Sequence, residues 1–225
     1  MKAIKLCSVA VLVAAALTSQ AETTYNAAFV SDYVWRGLTQ TDNGAALQAG
    51  ADYTVGNAYA GTWVSNVEEQ DGAEGVPAEM DVYFGYNHYF GAISIDTAVT
   101  TYNYLNDSTG DLTEFKVGVS PKQVKGLSVA LHREVKTKYW YPEVAFETTL
   151  PHRLYLDAAA GFWSIDDADD SAFTMRAELA RDFPEFHHID VFGGLSYITD
   201  NTPGGNNADD DDAEALFLMG IRKNF

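Results

Sequence analysis

The sequence predicts an all-β fold, a transmembrane antiparallel up-and-down β-barrel of about twelve strands, and three observations carry that prediction. Apolar and polar residues alternate with a period of two in segment after segment, the pattern of strands with one buried face. The connections alternate between short turns and longer, acidic loops. The stretch 214–225 sets Ala215, Phe217, Met219 and Ile221 against Glu214, Gly220, Arg222 and Asn224 and closes on Phe225, as the last strand of a bacterial outer-membrane barrel does. Lys223 departs from that pattern, since an apolar residue is usual two before the terminal aromatic, and near a membrane boundary its ammonium would snorkel to water.

Lys2 and Lys5 precede the apolar run 6–17, followed by Ser19-Gln20-Ala21, a small-x-small site. Residues 1–21 are therefore expected to be a secretory signal peptide cleaved after Ala21, leaving 22–225 as a single barrel domain. The run is too short for a spanning helix, and no later stretch reaches the ~18 apolar residues that one needs. Cys7, the only cysteine, lies inside the leader, so no disulfide is expected in the mature chain. Loss of the leader takes two lysines and no acids, moving the formal charge from −18 to −20. Such a surface does not suit nucleic acid, which calls for bases. Yet a chain that is 47% hydrophobic and 13% aromatic is too apolar for an acidic disordered tail, so the acids must be segregated from the apolar residues.

The period-two segments place strands at 24–36, 45–55, 58–67, 78–89, 93–104, 112–120, 127–135, 139–150, 153–163, 172–181, 189–197 and 214–225. Each has the ~9–12 residues that a tilted membrane strand needs, and the number is even. With the N-terminus in the periplasm, the even connections (56–57, 90–92, 121–126, 151–152 and 183–188) are the short inner turns. The odd ones (37–44, 68–77, 105–111, 164–171 and 198–213) are long outer loops, with Lys136-Thr137-Lys138 the exception. A soluble sandwich or lipocalin-like barrel has no reason to place its acidic loops on alternate connections.

In the register of Phe225 the lipid face collects Phe217, Val191, Leu195, Ile189, Phe173, Met175, Leu179, Leu154, Leu156, Trp140, Val144, Phe146, Val117, Ile93, Ile95, Val82 and Phe84. Tyr25, Tyr33, Trp35, Tyr53, Tyr59, Tyr86, Phe162 and Tyr197 fall near strand ends in that register, as interfacial girdles would. The opposite register collects Asp32, Asp52, Asp81, Asp96, Glu114, Glu134, Glu143, Glu147, Asp157, Glu178 and Asp190 with Arg36, Lys116, Arg153, Arg176 and Arg222, eleven acids against five bases. A charge at the bilayer midplane costs about 2–4 kcal/mol, so these side chains are expected to point into a lumen that holds water or pairs them. Asp32 and Arg36, about 13 Å apart along one strand, would pair across strands, while Gln48, Asp52 and Asn66 on the next strands supply polar groups at one level for a constriction.

Two functional readings follow. The first is a small outer-membrane porin passing small cationic or neutral solutes through a net-acidic lumen. The second is a non-conducting structural or surface-interaction barrel whose interior is a ladder of salt bridges. Expected partners are the lipid bilayer with lipopolysaccharide, small solutes, and the barrel-assembly machinery that would read Phe225; no cofactor, metal or nucleic acid is expected.

An enzyme is the distant third. No Gly-x-Ser-x-Gly elbow is present, His187 and His188 would point apart in a turn, His132 shares the inner face with Ser128 and Glu134 at distances too long for a nucleophile and base, and His88 sits on the lipid face at a strand end. The acidic runs 166–170 and 209–212 lack the spacing of a dedicated calcium loop and read as solvated loops.

The segment Ser31-Asp32-Tyr33-Val34-Trp35-Arg36-Gly37-Leu38-Thr39-Gln40-Thr41-Asp42-Asn43, with Ala46-Leu47-Gln48 and then Tyr59-Ala60-Gly61-Thr62-Trp63-Val64-Ser65-Asn66-Val67, resembles the TorF-type (Gcw_chp) outer-membrane porin family of proteobacteria. The resemblance is strong over the first third and rests on architecture beyond it. It implies a small outer-membrane barrel of porin type, with no family-wide substrate to carry over.

Overall fold

The computed structural model describes residues 21–68, 76–105, 110–166, 171–200 and 212–225. The predicted leader, apart from Ala21, lies outside the described residues. Twelve strands close into an antiparallel barrel: β1 (Ala21–Val30), β4 (Ala46–Val55), β5 (Ala58–Asn66), β6 (Ala78–Phe90), β7 (Ile93–Tyr104), β8 (Leu112–Pro121), β9 (Leu127–Glu134), β10 (Tyr139–Leu150), β11 (Leu154–Ile165), β12 (Ser171–Phe183), β13 (Ile189–Ile198) and β14 (Glu214–Asn224). Each pairs with its sequence neighbours, and β1 closes the ring against β14 from Asn26↔Asn224 to Val30↔Gly220. Phe225 extends that seam, its N–H donating to Tyr25 O at 2.8 Å while Tyr25 N–H donates back at 3.3 Å. Closure is the physical requirement for a sheet in hydrocarbon, where an unpaired edge has no water to bond.

The strands sort their side chains as period two demands. Phe217, Leu195, Phe84, Val117 and Val191 are exposed on the outer face, beside Tyr25, Tyr53, Tyr86 and Phe162 near the ends. No helix among the described residues is long and apolar enough to cross a membrane; the crossing is made by strands. Lys223 lies on the outer face with its ammonium 5.0 Å from the Phe225 ring centre. We call the end of the barrel with the short connections the turn end and the other the loop end.

The first strand differs from expectation. It leaves the wall at Val30, six residues before the predicted end at Arg36, after Ser31 N–H donates to Met219 O at 2.8 Å. The chain then folds into the lumen as a small hairpin, β2 (Val34–Trp35) and β3 (Leu38–Thr39), paired Val34↔Thr39 and Trp35↔Leu38. Its two turn residues, Arg36 and Gly37, have φ of 50° and 92°, the positive values that a two-residue type I′ turn requires. Gly37 has a second reason to lack a side chain, because a Cβ there would lie 2.8 Å from Ile198 Cβ. Tyr33 and Trp35, predicted for the lipid girdle, are therefore inside: Tyr33 stacks edge-on to Trp63 at 5.1 Å and Trp35 to Trp163 at 5.3 Å.

Three further placements are corrected. Tyr59 points inward, where its hydroxyl donates to Asp96 at 2.8 Å and its ring fills the space left by Gly85 on the neighbouring strand. Asn66 faces outward instead of lining the lumen, accepting from Leu47 N–H at 2.8 Å and donating to Ala45 O at 3.1 Å, and so pins the loop end of β4 to β5. Arg153 belongs to the exposed turn Pro151–Arg153 and not to a strand. Glu134 is buried, but it staples the short connection 135–138: its carboxylate accepts from Lys136 N–H at 2.8 Å, Thr137 N–H at 2.5 Å and the Thr137 hydroxyl at 2.6 Å. That local satisfaction explains why this loop-end connection is short when the others are long.

A closed, fully paired barrel predicts that unheated protein migrates faster than boiled protein in SDS gels. Identical mobilities with and without boiling contradict it. Deleting Phe225 removes both seam bonds to Tyr25 and is expected to lower the heat-resistant fraction severalfold; equal fractions in the truncated and full chains count against the seam.

Candidate functional site in the lumen

The lumen has two halves of different character. At the turn end a cavity of about 880 Å³ is lined by Lys125, Glu147, Tyr155, Asp157, Glu178, Asp190, Arg222 and Asn224, among others. A second cavity of about 340 Å³ shares Glu178, Arg222 and Asn224 with it and reaches up to Asp32, Tyr33, Gln48 and Trp63 beneath the hairpin. At the loop end, by contrast, the interior is filled on the β10–β13 side by the hairpin and the aromatic residues around it.

The charged groups of the inner wall pair across strands. Lys116 on β8 reaches Asp96 on β7 at 2.9 Å, Arg176 on β12 reaches Asp157 on β11 at 2.8 Å, and Arg222 on β14 reaches both Glu178 at 2.7 Å and Asp190 at 3.5 Å. Register places Asp157 opposite Glu178 and Arg222 opposite Asp190, so Arg222 meets Asp190 on the adjoining β13 and reaches past it to Glu178 on β12. Asp52 accepts a very short hydrogen bond from the Tyr83 hydroxyl. Glu143 and Glu147 share the inner face of β10 with Tyr139 and Tyr141.

The hairpin delivers Arg36 to the most constrained point of the interior. Its Nη1 and Nη2 donate to the two carboxylate oxygens of Glu114 at 2.6 and 3.0 Å, a bidentate fork, and Nη1 lies 3.3 Å from the Tyr139 hydroxyl. The guanidinium carbon is 4.2 Å from the Tyr141 ring centre, 4.8 Å from Trp35, 5.5 Å from Trp163 and 5.8 Å from Tyr139. The Trp163 indole N–H donates to Arg36 O at 3.1 Å, which anchors the hairpin backbone as well. Burial by itself would lower the Arg36 pKa, but the opposed Glu114 carboxylate outweighs it, and the side chain stays a cation.

Glu114 is held from the wall too. The Tyr139 hydroxyl donates to it at 2.6 Å, the Tyr102 hydroxyl lies at 3.3 Å, and His132 Nδ1 lies at 2.7 Å. The Tyr141 ring is accommodated because Gly161 faces it; a Cβ there would collide with the hydroxyl, which bonds Thr174 at 2.6 Å.

Asp32, expected on the wall, organises the hairpin's base instead. It accepts from the Thr39 hydroxyl at 2.7 Å and the Thr41 hydroxyl at 2.9 Å, while Gln40 N–H donates to Tyr33 O at 2.7 Å. Beside it, Glu79 and Asp81 are buried next to Tyr33. Burial, and then these two carboxylates, raise the Tyr33 pKa well above the usual phenol value, so its hydroxyl remains protonated. Of the residues expected to line the lumen, Gln48, Asp52, Asp81, Asp96, Glu114, Lys116, Glu143, Glu147, Asp157, Arg176, Glu178 and Arg222 stand on the inner face of the barrel strands. Asp32 and Arg36 reach the interior from the hairpin, and Asn66 does not. The uncharged members of the site, Tyr102, Tyr139, Tyr141 and Trp163, were not singled out from sequence. Parity alone would have found them, since they are even-spaced from Asp96, Glu143 and Asp157.

Fold and lumen together define a porin-like barrel: twelve strands, closed, apolar outside and polar within. The chain belongs to the family described as "Bacterial protein of unknown function (Gcw_chp)", whose model matches residues 14–162. Among solved structures it is similar in fold to a KdgM porin (TM-score 0.61, 10% identity, covering 90% of this chain and 99% of that one). It is similar also to a KdgM porin in complex with disordered oligogalacturonate (0.58, 10%, 92% and 99%) and to the NanC porin (0.53, 12%, 89% and 98%). No curated protein matches the chain in sequence.

Removing one member of a buried, hydrogen-bonded ion pair leaves the other uncompensated, at a cost of about 3–5 kcal/mol. Glu114→Gln is expected to lower the urea midpoint of the micelle-refolded barrel accordingly. Arg36→Met in the same chain should restore part of the loss, because no charge is then stranded. Additive losses in the double variant would show that the two side chains are not coupled.

Proposed function

We propose that this chain is a small outer-membrane porin through which small cationic or neutral solutes diffuse passively, with the loop end outside and the inward hairpin forming the constriction at the outer mouth. The observation that carries this reading is the lining of the turn-end cavity, where Glu147, Asp157, Glu178 and Asp190 stand against Lys125 and Arg222. Low-dielectric walls focus that field and enrich cations in the lumen. Asp32, Gln48, Asp52 and Asp81 extend the polar lining to the hairpin, and Asp96, Glu114, Lys116, Glu143, Arg176 and Arg36 complete the interior charge. The reaction class is transport and not catalysis, and the chain's partners are the bilayer with its lipopolysaccharide, the solutes, and the assembly machinery that would receive the last strand with Phe225.

A second reading, a non-conducting structural or surface-interaction barrel, is favoured by the hairpin itself, which fills one side of the loop end with buried aromatic residues and the Arg36–Glu114 pair.

Planar-bilayer recording across a KCl gradient separates these readings. The porin gives discrete conductance steps and a reversal potential of cation sign at low salt, fading as the Debye length shortens to ~3 Å near 1 M. Anion sign at low salt overturns the charge argument, and electrical silence in both the wild type and Arg36→Ala favours the structural barrel.

A further inference from the structure

The cage around Arg36 has the chemistry of a ligand site whose ligand happens to be covalently attached. We propose that Glu114, Tyr139, Tyr141 and Trp163 form a guanidinium-binding site on the barrel wall, filled in this conformation by the protein's own Arg36 and open to a guanidinium-bearing solute when the hairpin withdraws. The proposal deepens the cation-preferring reading above and rests on it for its place in transport.

Three observations support it. The first is complementarity. A planar cation is gripped in its plane by both oxygens of one carboxylate, at 2.6 and 3.0 Å, and lies within about 6 Å of the centres of three wall rings. An ammonium has no fork to match that carboxylate, so the site distinguishes the two kinds of cation.

The second is that the site does not need the hairpin in order to exist. Glu114 is oriented by Tyr139, Tyr102 and His132, at 2.6, 3.3 and 2.7 Å, and these groups sit on β7, β9 and β10, locked by the ladder of the closed barrel. Tyr141 is seated over Gly161 and bonded to Thr174, again wall to wall. When Arg36 leaves, a preformed acidic aromatic cage stays behind; of the rings around the guanidinium, Trp35 alone departs with the hairpin.

The third is that Arg36 is attached by a small, separable element. The hairpin's own ladder is two residue pairs, and it is not part of the barrel sheet. Arg36 occupies the left-handed region, φ 50°, where a side chain other than that of Gly, Asn or Asp is disfavoured. A free guanidinium that replaces it keeps the fork and the ring faces while relieving the turn.

Tethering sets the scale of the competition. A group on a short linker acts at an effective concentration of the order of millimolar or above, so a free competitor shows itself at low concentration once Arg36 is removed and only at much higher concentration against the intact chain.

The test uses the whole barrel in detergent micelles and reads intrinsic tryptophan fluorescence, since Trp163 lines the cage. In Arg36→Ala, ethylguanidinium chloride is expected to give a saturable change, with ethylammonium chloride at equal ionic strength at least tenfold weaker. Arg36→Ala combined with Glu114→Gln should lose saturation, and the wild type should need at least tenfold more ethylguanidinium. A linear response, or the same response to both cations, overturns the proposal. If Arg36→Ala does not assemble, Arg36→Lys replaces it: the ammonium lacks the fork, ethylguanidinium displaces it with the same saturable signal, and no displacement overturns the site. Because the assay reads binding and not current, an electrically silent barrel that binds ethylguanidinium sinks the transport reading alone, and a conducting barrel that fails to bind it sinks this one alone.

Discussion

Everything in this structure depends on the rule that a backbone crossing hydrocarbon must satisfy every N–H and C=O within the protein. For a sheet that means closure, and closure is achieved here by β1 bonding β14 on one side and β4 on the other. A closed ring of strands leaves each side chain two destinations, lipid or lumen, with no residue free to change face without slipping the register of its whole strand. The acids of the strands thereby come to line the inside of the barrel. Desolvation is the second constraint, since acids collected within low-dielectric walls must meet bases or hydroxyls. The pairs Asp96–Lys116 and Asp157–Arg176 across adjacent strands, and Glu178–Arg222 across the intervening β13, are how that requirement is met.

The hairpin is where the chain escapes the wall, and its energetics oppose two terms. Taking the Arg36 guanidinium out of water is costly, and an isolated Glu114 carboxylate, 3% exposed, would be as costly to leave buried. Brought together, each removes the other's penalty. The apolar contribution comes from Trp35 and Leu38 packing against Tyr139, Trp163 and Ile198. The hairpin thus stands on apolar burial, and its ion pair chiefly specifies where it sits. That division explains why the tip carries an arginine in a conformation that glycine would adopt more readily: the position is chosen for the charge it delivers.

The number of strands, their order and the alternation of turns and loops were legible because each rests on local chemistry: period two within a strand, Gly, Pro and Asn at turns. Charged residues were placed inside by the same rule. The misses have definite causes. In 31–36 the alternation of the strand continues into the hairpin, so Tyr33 and Trp35 read as wall residues, and nothing local marks Val30 as the point of departure; the decisive contacts, Arg36 to Glu114 and Trp163, are 78 and 127 residues away. In β5, the set Tyr59, Gly61, Trp63 and Ser65 and the set Ala60, Thr62, Val64 and Asn66 are both mixed in polarity, and the aromatic set goes inside because Gly85 and Gly61 leave room for Tyr59 and Tyr83 on facing strands. Cross-strand volume, which one sequence does not display, settles that face.

The two halves of the lumen divide the work that the composition assigned to the whole. Charges at the loop end are engaged by the hairpin and by the connection 135–138, whereas those of the turn end line an open cavity. There, pairing leaves a modest remainder: Asp157 is offset by Arg176, and Glu178 and Asp190 share Arg222, so one carboxylate of that trio is uncompensated. Glu147 adds a second, and Lys125 at the rim opposes them. The acidity of the chain as a whole, −18, therefore overstates the field inside by a wide margin. If the lumen conducts as proposed, so small a residual charge would bias ions without excluding either sign. In the porin reading, a neutral solute would meet no electrostatic barrier in it, and selection would fall to the hairpin, by shape and by what can stand in for Arg36.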